Sequence, residues 1–261
     1  MLRGTKLSLT DKEKAELVAA FDKLTPSQRA RLMRTIIAFG GQGQFWRQEG
    51  SDIVTETVLN ALGDRLVDHH AGSNQALSKD RFEHAFESAL TEAGIPAALV
   101  KSRTNRGHDM SIRDVPVNLK TEAAAGIKDD FIHVSKWMEL GRGEWDLEFQ
   151  RRQFLDHLAN YERIFTLRRL RAPIGANSYE LVEIPKALLL ESANVPIELA
   201  TRTTQASTPG YVRVKDAEGN LKYALYFDAG SERKLQVKQL RKSLCRVHAT
   251  WKFGEGLKGT A

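Results

Sequence analysis

Residues 109–120 read DMSIRDVPVNLK, and apolar and polar side chains alternate along them on either side of one interruption. An alternation with a period of two predicts β-strands that bury one face. Arg113 and Asp114 form the interruption, and we expect them to be a tight turn between two antiparallel strands. In that register Asp109 lies directly opposite Asn118. The stretch therefore predicts a hairpin with one apolar and one polar face.

The polar face of this hairpin brings three kinds of side chain together. Lys120 follows Asn118 by two residues and points to the same side of its strand, so a carboxylate, an amide and an ammonium share one surface. Mg²⁺ prefers oxygen ligands, and a bound metal ion activates water and neutralises charge on a phosphate. A nearby lysine can orient that water or stabilise the transition state. The spacing indicates metal-assisted phosphodiester hydrolysis, and it leaves open a solvated sheet face whose polar residues are unrelated.

The composition is that of a globular protein. The 261 residues are 41% hydrophobic and 28% charged, which excludes a disordered or collagen-like chain. A formal net charge of +6 permits a polyanionic partner without requiring one. The sequence shows no repeat and no linker, so we expect a single domain over residues 1–261.

Cysteine use and hydropathy indicate the compartment. Cys245 is the single cysteine of the sequence, so it cannot form an internal disulfide and is expected to be a core thiol. The charged N-terminal residues do not resemble a signal peptide, and no apolar run is long enough to span a bilayer. We therefore expect a cytoplasmic protein without a membrane partner.

Cap residues followed by apolar side chains at three- and four-residue spacing predict helices. These helices cover residues 10–24 and 26–40, begin at Ser51 and at Ser78, and cover residues 146–160. Residues 68–70, Asp-His-His, are similar to a phosphoesterase motif whose other residues are missing here. We expect them to end the third helix, where imidazole suits the helix dipole.

Alternating segments after the hairpin predict further strands. These segments are residues 131–137, 164–170, 179–184, 211–215 and 221–228, with residues 216–220 connecting the last two as a second hairpin. Helices followed by a mixture of strands and helices predict an α/β fold of the mixed α+β kind. In this fold helices flank a central mixed sheet, and the N-terminal portion is helical.

The hairpin and its surroundings resemble a known enzyme family. Asp109 followed by residues 118–120, Asn-Leu-Lys, is similar to the motif of the PD-(D/E)xK nucleases. His108 stands where that motif has its proline, which is not a metal ligand. Further stretches between about residues 63 and 251 resemble the SmaI family of type II restriction endonucleases. Those stretches are residues 82–86, 102–105, 107–109, 119–123, 133–141, 160–168, 181–186 and 232–236.

The resemblance implies an architecture and an activity. The expected fold is a restriction-endonuclease-like core, with a mainly helical portion over 1–75, a catalytic core over 76–160 and a β-rich DNA-recognition portion over 161–261. The expected reaction is Mg²⁺-dependent cleavage of double-stranded DNA at a palindromic G·C-rich hexanucleotide, CCCGGG, with a blunt cut at its centre. Related nucleases of DNA repair or phage defence, and a DNA-binding protein with a decayed site, are the alternatives.

The resemblance also assigns roles to residues of the site. Asp109 is expected to bind the metal ion and Lys120 to handle the attacking water. Asn118 stands where the family has a second acid, and its neutral amide is a weaker metal ligand than a carboxylate. A carboxylate must then come from a neighbouring position, and the candidates are Glu83, on the helix that begins at Ser78, and Glu122, two residues after Lys120.

DNA recognition requires donors for phosphates and base edges. Three basic and amide-rich segments are the candidates, and the DNA-binding residues expected from them are Arg103, Asn105, Arg106, Arg142, Arg233, Lys234, Gln236 and Lys238. A palindromic target has two-fold symmetry, so we expect a homodimer. The helices over 10–24 and 26–40 form its interface or pack on their own core. A cognate DNA methyltransferase is expected to protect host DNA without a stable complex.

Overall fold

The computed structural model describes residues 8–41, 43–100, 107–124, 127–201, 204–205 and 207–254. Arg103, Asn105 and Arg106, which are candidate DNA contacts, lie outside these ranges. Six α-helices are present among the described residues: α1 (Asp11–Asp22), α2 (Pro26–Gly40), α3 (Glu56–Gly72), α4 (Lys79–Glu92), α5 (Leu147–Leu158) and α6 (Lys186–Leu190).

The described residues also form twelve strands. They are β1 (Gly43–Arg47), β2 (Ala97–Leu99), β3 (Met110–Ile112), β4 (Val115–Glu122), β5 (Phe131–Glu139), β6 (Arg163–Leu170), β7 (Ala176–Glu183), β8 (Ile197–Leu199), β9 (Gly210–Lys215), β10 (Leu221–Asp228), β11 (Lys234–Arg241) and β12 (Arg246–Gly254). Seven of them form a first sheet in the order β1-β12-β7-β6-β4-β3-β2. The other five form a second sheet in the order β5-β11-β10-β9-β8.

The first sheet is mixed and the second is antiparallel. In the first sheet β4 and β6 run parallel, and every other neighbouring pair runs antiparallel. All pairs of the second sheet are antiparallel. The predicted mixed α/β class with a helical N-terminal portion is confirmed.

The hairpin of β3 and β4 has the register predicted from its alternation. Met110 pairs with Val117 and Ile112 pairs with Val115. The two turn residues have positive φ angles, 50° at Arg113 and 64° at Asp114, as a two-residue turn of type I′ requires. The turn thereby fixes which side chains of the two strands share a face.

Two hydrophobic cores lie on opposite faces of the first sheet. On one face, Val117 and Leu119 of β4 pack with helices α3 and α4. On the other, Ile164 of β6 and Val182 of β7 pack with α5 and with the inner face of the second sheet. Asn118 lies between Val117 and Leu119, so it points to the side of the second sheet.

Several elements begin at other residues than expected. The third helix begins at Glu56 with Thr55 as its cap, not at Ser51, because the Ser51 hydroxyl instead accepts the amide of Val54 at 3.1 Å and bonds His248. The glycine-rich break after α2 continues as β1, and β2, β8, β11 and β12 were not predicted. The Asp-His-His motif does lie in the last turns of α3, as expected.

The sequence portions interleave in space. Strands β6, β7 and β12, from residues 161–261, complete the sheet that carries the β3–β4 hairpin, while β5, from residues 76–160, joins the second sheet. Strands from both portions therefore surround the hairpin.

Helices α1 and α2 are exposed on the protein. Each begins with a capping box, at Thr10 and at Thr25 respectively, and none of their residues is buried. Together they expose a group of large apolar side chains: Leu17, Val18, Leu32, Met33, Ile36, Ile37 and Phe39. Within the described ranges, no helix has the length and apolar character needed to cross a membrane.

Candidate active site

A cavity of about 370 Å³ opens beside the catalytic face of the β3–β4 hairpin. The hairpin provides one wall, and α4, α5 and the end of β5 provide the others. Asp109, Asn118 and Lys120, the three residues predicted from the hairpin pattern, all line this cavity, together with Lys79 and Trp137. The structure therefore brings the sequence-predicted hairpin residues together.

Asp109 is held in a fixed orientation by the opposite strand. Its Oδ2 accepts the backbone amide of Leu119 at 2.6 Å, and its own amide donates to the carbonyl of Val117 at 3.0 Å. Its Oδ1 accepts the ammonium of Lys79 at 2.8 Å. One carboxylate oxygen is thus used by the backbone, and the other faces the cavity.

Asn118 has an unsatisfied oxygen. Its side chain is buried, and Oδ1 has no hydrogen-bond partner among the described residues. A buried amide oxygen without a donor is costly, so this atom fits a ligand for a cation. Asn118 lines the same cavity as Asp109, which suits that role.

Lys120 is buried and spans to the second sheet. Its ammonium donates to the backbone carbonyl of Trp137 on β5 at 3.0 Å, and it lies 5.2 Å from the centroid of the Trp137 indole ring. Burial, followed by repulsion from Lys79, lowers the pKa of Lys120 to about 8. The group is therefore a fixed donor that releases a proton more readily than a surface lysine.

Glu83 reaches the site from α4. It lies one helical turn after Lys79, and its Oε1 is 3.1 Å from the Lys79 ammonium, which also holds Asp109. Burial raises the pKa of Glu83, and the charge of Lys79 opposes that rise. Lys79 was not predicted from the sequence. Its four-residue spacing from Glu83, in the helix that Ser78 caps, is nevertheless the spacing of an ion pair on one helix face.

Glu122 lies in a different environment from the other candidates. Its Oε2 accepts the Nε of Arg168 at 2.5 Å, and its Oε1 accepts the amide of His133 at 2.9 Å. Arg168 is fully buried and also donates to Glu180. Glu122 lines a second cavity, of about 540 Å³, rather than the cavity of Asp109. One of its oxygens therefore belongs to a buried ion-pair cluster, and the other accepts a backbone amide of β5.

The residues of the first cavity fit a hard divalent cation. Asp109 and Asn118 line the cavity, and Glu83 is linked to Asp109 through the Lys79 ammonium. All three side chains supply oxygen, which is the donor type that Mg²⁺ selects. Across the described ranges, no three His, Cys, Asp or Glu side chains converge in a metal-binding group. The candidate site instead combines two carboxylates with an amide oxygen.

Two of the candidate DNA contacts lie near the cavity entrance. Arg142 is exposed in the loop after β5, next to Gly141, which lines the cavity. Arg233 donates from Nη1 to the carbonyl of Gly143 at 2.5 Å, and its guanidinium lies 5.1 Å from the Trp145 ring centroid. The loop between β5 and α5 and the residue before β11 therefore place Arg142 and Arg233 on one rim of the cavity.

The other candidates lie on β11. Lys234 pairs with Glu232 at 3.4 Å. Gln236 is buried, and its amide donates to Asp228 at 2.9 Å. Lys238 lies over the ring of Tyr226, 3.7 Å from its centroid. Their different surroundings distinguish the two partly exposed lysines from the glutamine, whose amide already has a partner.

Comparisons with known proteins identify the family of the chain. The sequence profile of the family described as SmaI, type II site-specific deoxyribonuclease, matches residues 17–253. The type II restriction enzyme SmaI of Serratia marcescens is 47% identical to the chain over 238 residues, which cover 91% of this chain and 96% of that enzyme. No solved structure is significantly similar. The chain belongs to the SmaI family of type II site-specific deoxyribonucleases.

Proposed function

We propose that the protein cuts double-stranded DNA at the palindrome CCCGGG in a Mg²⁺-dependent reaction that leaves blunt ends. The observation that carries the metal-dependent chemistry is the unsatisfied Asn118 oxygen in a cavity that also holds Asp109 and Lys120. The target sequence is supported by the 47% identity to SmaI over most of both chains.

The chain's own residues suggest how the reaction proceeds. Asp109, Glu83 and Asn118 would hold Mg²⁺, which supplies charge neutralisation and an activated water when bound. Lys120 positions that water and stabilises the charge that develops on the phosphate, because its ammonium is fixed by the Trp137 carbonyl. Attack on phosphorus breaks the bond to the 3′ oxygen, so the products carry 5′-phosphate and 3′-hydroxyl ends.

Plasmid cleavage tests this function. A plasmid with one CCCGGG site is incubated with the protein and Mg²⁺, and the ends of the product are sequenced. A matched plasmid with one changed base pair in the site is the control. Linear product from the first plasmid alone, with blunt ends at the centre of the site, is expected. Random ends would indicate a structure-directed nuclease, and intact DNA with every divalent ion would indicate a decayed site; either result contradicts the proposal.

We propose further that the basic residues of the rim and of β11 contact DNA phosphates. Arg142, Arg233, Lys234 and Lys238 supply the charge, and Gln236 acts there only if its bond to Asp228 is exchanged. Neutralising one phosphate-contacting residue should reduce the slope of log K against log salt concentration by about one. Binding measured between low and moderate salt, with Lys222→Gln as a control on the second sheet, tests this.

A palindromic target suits a homodimer, and we propose that α1 and α2 form its interface. The apolar side chains that these helices expose would be covered by the same surface of a second copy. Light scattering on the wild type should give the mass of a dimer. The double variant Leu17→Glu/Ile36→Glu should shift it toward the monomer without loss of secondary structure. A monomeric wild type would contradict the proposal.

The proposed function also includes a partner methyltransferase and a cytoplasmic location. A separate cognate methyltransferase would protect the same site in host DNA, so a plasmid methylated within CCCGGG should resist the enzyme. A reducing cytoplasm suits Cys245, whose thiol packs against the second core and has its pKa raised to about 12 by burial. Such a thiol is inert at neutral pH.

A further inference from the structure

Lys79 occupies the space between the two carboxylates of the active site. Its ammonium lies 2.8 Å from Asp109 Oδ1 and 3.1 Å from Glu83 Oε1. Asp109 immediately precedes β3, and Glu83 lies on α4. The lysine therefore joins the helix to the β3–β4 hairpin. No role was assigned to this residue from the sequence.

The oxygens that Lys79 holds are those that a metal ion needs. Asp109 Oδ2 already accepts the amide of Leu119 at 2.6 Å, which leaves Oδ1 as the oxygen that faces the cavity. Lys79 is bonded to that same oxygen. A divalent ion on Asp109 and Glu83 would place two cations on one pair of carboxylates, and in a partly buried site such repulsion is strong.

Helix stability explains the position of Lys79 only weakly, because a lysine four residues before a glutamate is the less favourable order of an i,i+4 pair. It is the first residue of α4, where the helix dipole disfavours a cation, and Ser78 already caps the helix through the amide of Arg81. The side chain is about two-fifths exposed, so the ammonium can leave the carboxylates toward solvent or a phosphate. The contact with Asp109 and Glu83 is therefore reversible.

The charges of the site balance without a metal ion. Asp109 and Glu83 contribute two negative charges, and Lys79 and Lys120 contribute two positive charges when protonated. Adding a divalent ion while Lys79 stays in place would leave the site strongly positive. Release of Lys79 removes one of those charges from the carboxylates.

We infer that Lys79 is an internal competitor of the divalent metal ion: its ammonium holds Asp109 and Glu83 in the free protein and leaves when the ion binds. This inference rests on the proposed metal site. Its consequence is that the free protein binds metal more weakly than its carboxylates allow, because the ion binds only the fraction of molecules in which Lys79 has moved away.

Metal binding to the full-length protein without DNA tests the inference. Mn²⁺ is titrated into the wild type, Lys79→Gln and Lys79→Met, and the free ion is counted by its electron paramagnetic resonance signal. Both neutral variants should bind Mn²⁺ about tenfold more tightly, as expected if the ammonium occupies the carboxylates in about nine of ten molecules. Lys79→Arg, which keeps a cation, should show no gain.

Two controls separate this effect from others. Lys222→Gln removes a lysine of the second sheet that likewise pairs with a carboxylate, Glu191, so it reports the effect of net charge alone and should leave Mn²⁺ affinity unchanged. Asp109→Asn combined with Lys79→Gln should abolish the gain, which assigns the binding to this site. Melting curves without metal confirm that each variant is folded.

The outcomes distinguish the inference from the proposed function. Equal or weaker Mn²⁺ binding by both neutral variants, beside a wild type whose binding requires Asp109, would overturn the competitor role and make Lys79 an organiser of the carboxylates. Absence of any Asp109-dependent Mn²⁺ binding in all of these proteins would overturn the proposed metal site, and the inference with it.

Discussion

Asp109 and Leu119 are joined across the catalytic hairpin by a 2.6 Å hydrogen bond from the Leu119 amide to Asp109 Oδ2. The bond orients the carboxylate, because it fixes one oxygen against the strand and turns the other to the cavity. Oδ2 is thus bonded to the backbone, and Oδ1 remains available to groups in the cavity.

Asp109→Asn tests this division of roles. The amide oxygen can still accept the Leu119 N–H, so the melting temperature should change little. Loss of the charge should lower the single-turnover rate of plasmid cleavage by more than about 100-fold. Loss of a residue that only hydrogen-bonds to a metal ligand already costs up to about that factor. DNA binding, measured by fluorescence anisotropy, should remain. A variant that cuts at near wild-type rate would exclude Asp109 as the metal ligand.

Lys120→Met should separate activity from stability. Methionine has a similar volume and avoids the cost of burying an ammonium, so the free energy of unfolding should be unchanged or raised by about 1 kcal/mol, despite the lost bond to the Trp137 carbonyl. Cleavage should be lost because the donor to the reacting groups is gone. Urea denaturation and plasmid cleavage measure the two effects, and a destabilised but active variant would contradict both expectations.

Glu83→Gln and Glu122→Gln should differ in Mn²⁺ affinity. We expect Glu83→Gln to weaken binding, because Glu83 and Asp109 contact the same Lys79 ammonium, and Glu122→Gln to leave it intact. Glu122→Gln should instead lower the free energy of unfolding by about 2 kcal/mol, since it weakens a buried pair with Arg168. The reverse pattern would make Glu122 the second carboxylate.

Acid should weaken the protein through Glu183. Burial alone would raise the pKa of this carboxyl, but hydrogen bonds from Arg163 and the contact with His248 outweigh it and hold the pKa at about 2. Because the folded pKa lies below the ordinary value of 4.5, the stabilisation is complete above pH 4.5 and is lost as the pH falls toward 2.

Glu183→Gln is the variant that measures this contribution. It should cost about 2 kcal/mol near pH 7, and its difference from the wild type should shrink as the pH falls from 5 to 3 in urea denaturation. Glu162→Gln, which breaks an exposed pair with Lys186, is the control and should cost at most about 1 kcal/mol. A pH-independent difference would contradict the assignment.

Local patterns predicted the hairpin well, because its information is contained in twelve consecutive residues. Alternation sets the faces, and Arg113 and Asp114 set the register, so the neighbourhood of Asp109 and Asn118 followed without tertiary knowledge. The cap at Ser78 likewise placed the start of α4 correctly. The reading of 51–55 as helix failed because the Ser51 hydroxyl is used by His248, nearly 200 residues away.

Long-range relationships explain the rest of the differences. Residues 234–238 were read as a donor cluster, although they alternate as a strand does and form part of β11. The membership of β5 in the second sheet depends on pairing with β11, which no local pattern reports. Glu83 and Glu122 were both open because Glu83 lies at the edge of the apolar face of its helix, from which it can lean toward the sheet, and Glu122 follows Lys120 by two residues on one strand face. Arg168, which engages Glu122, is distant in sequence.

The hydrogen bond from Lys120 to the Trp137 carbonyl has a consequence for how such an enzyme can evolve. Lys120 lies on a strand of the first sheet, but its ammonium donates to a backbone carbonyl of the second sheet. Under the proposed function, β11 of that second sheet also contacts DNA. If the second sheet changes position to recognise a new target sequence, the Trp137 carbonyl that holds Lys120 moves with it. New specificity and retained turnover have to be selected together, so grafting recognition residues alone should yield enzymes that bind the new sequence and cut it slowly.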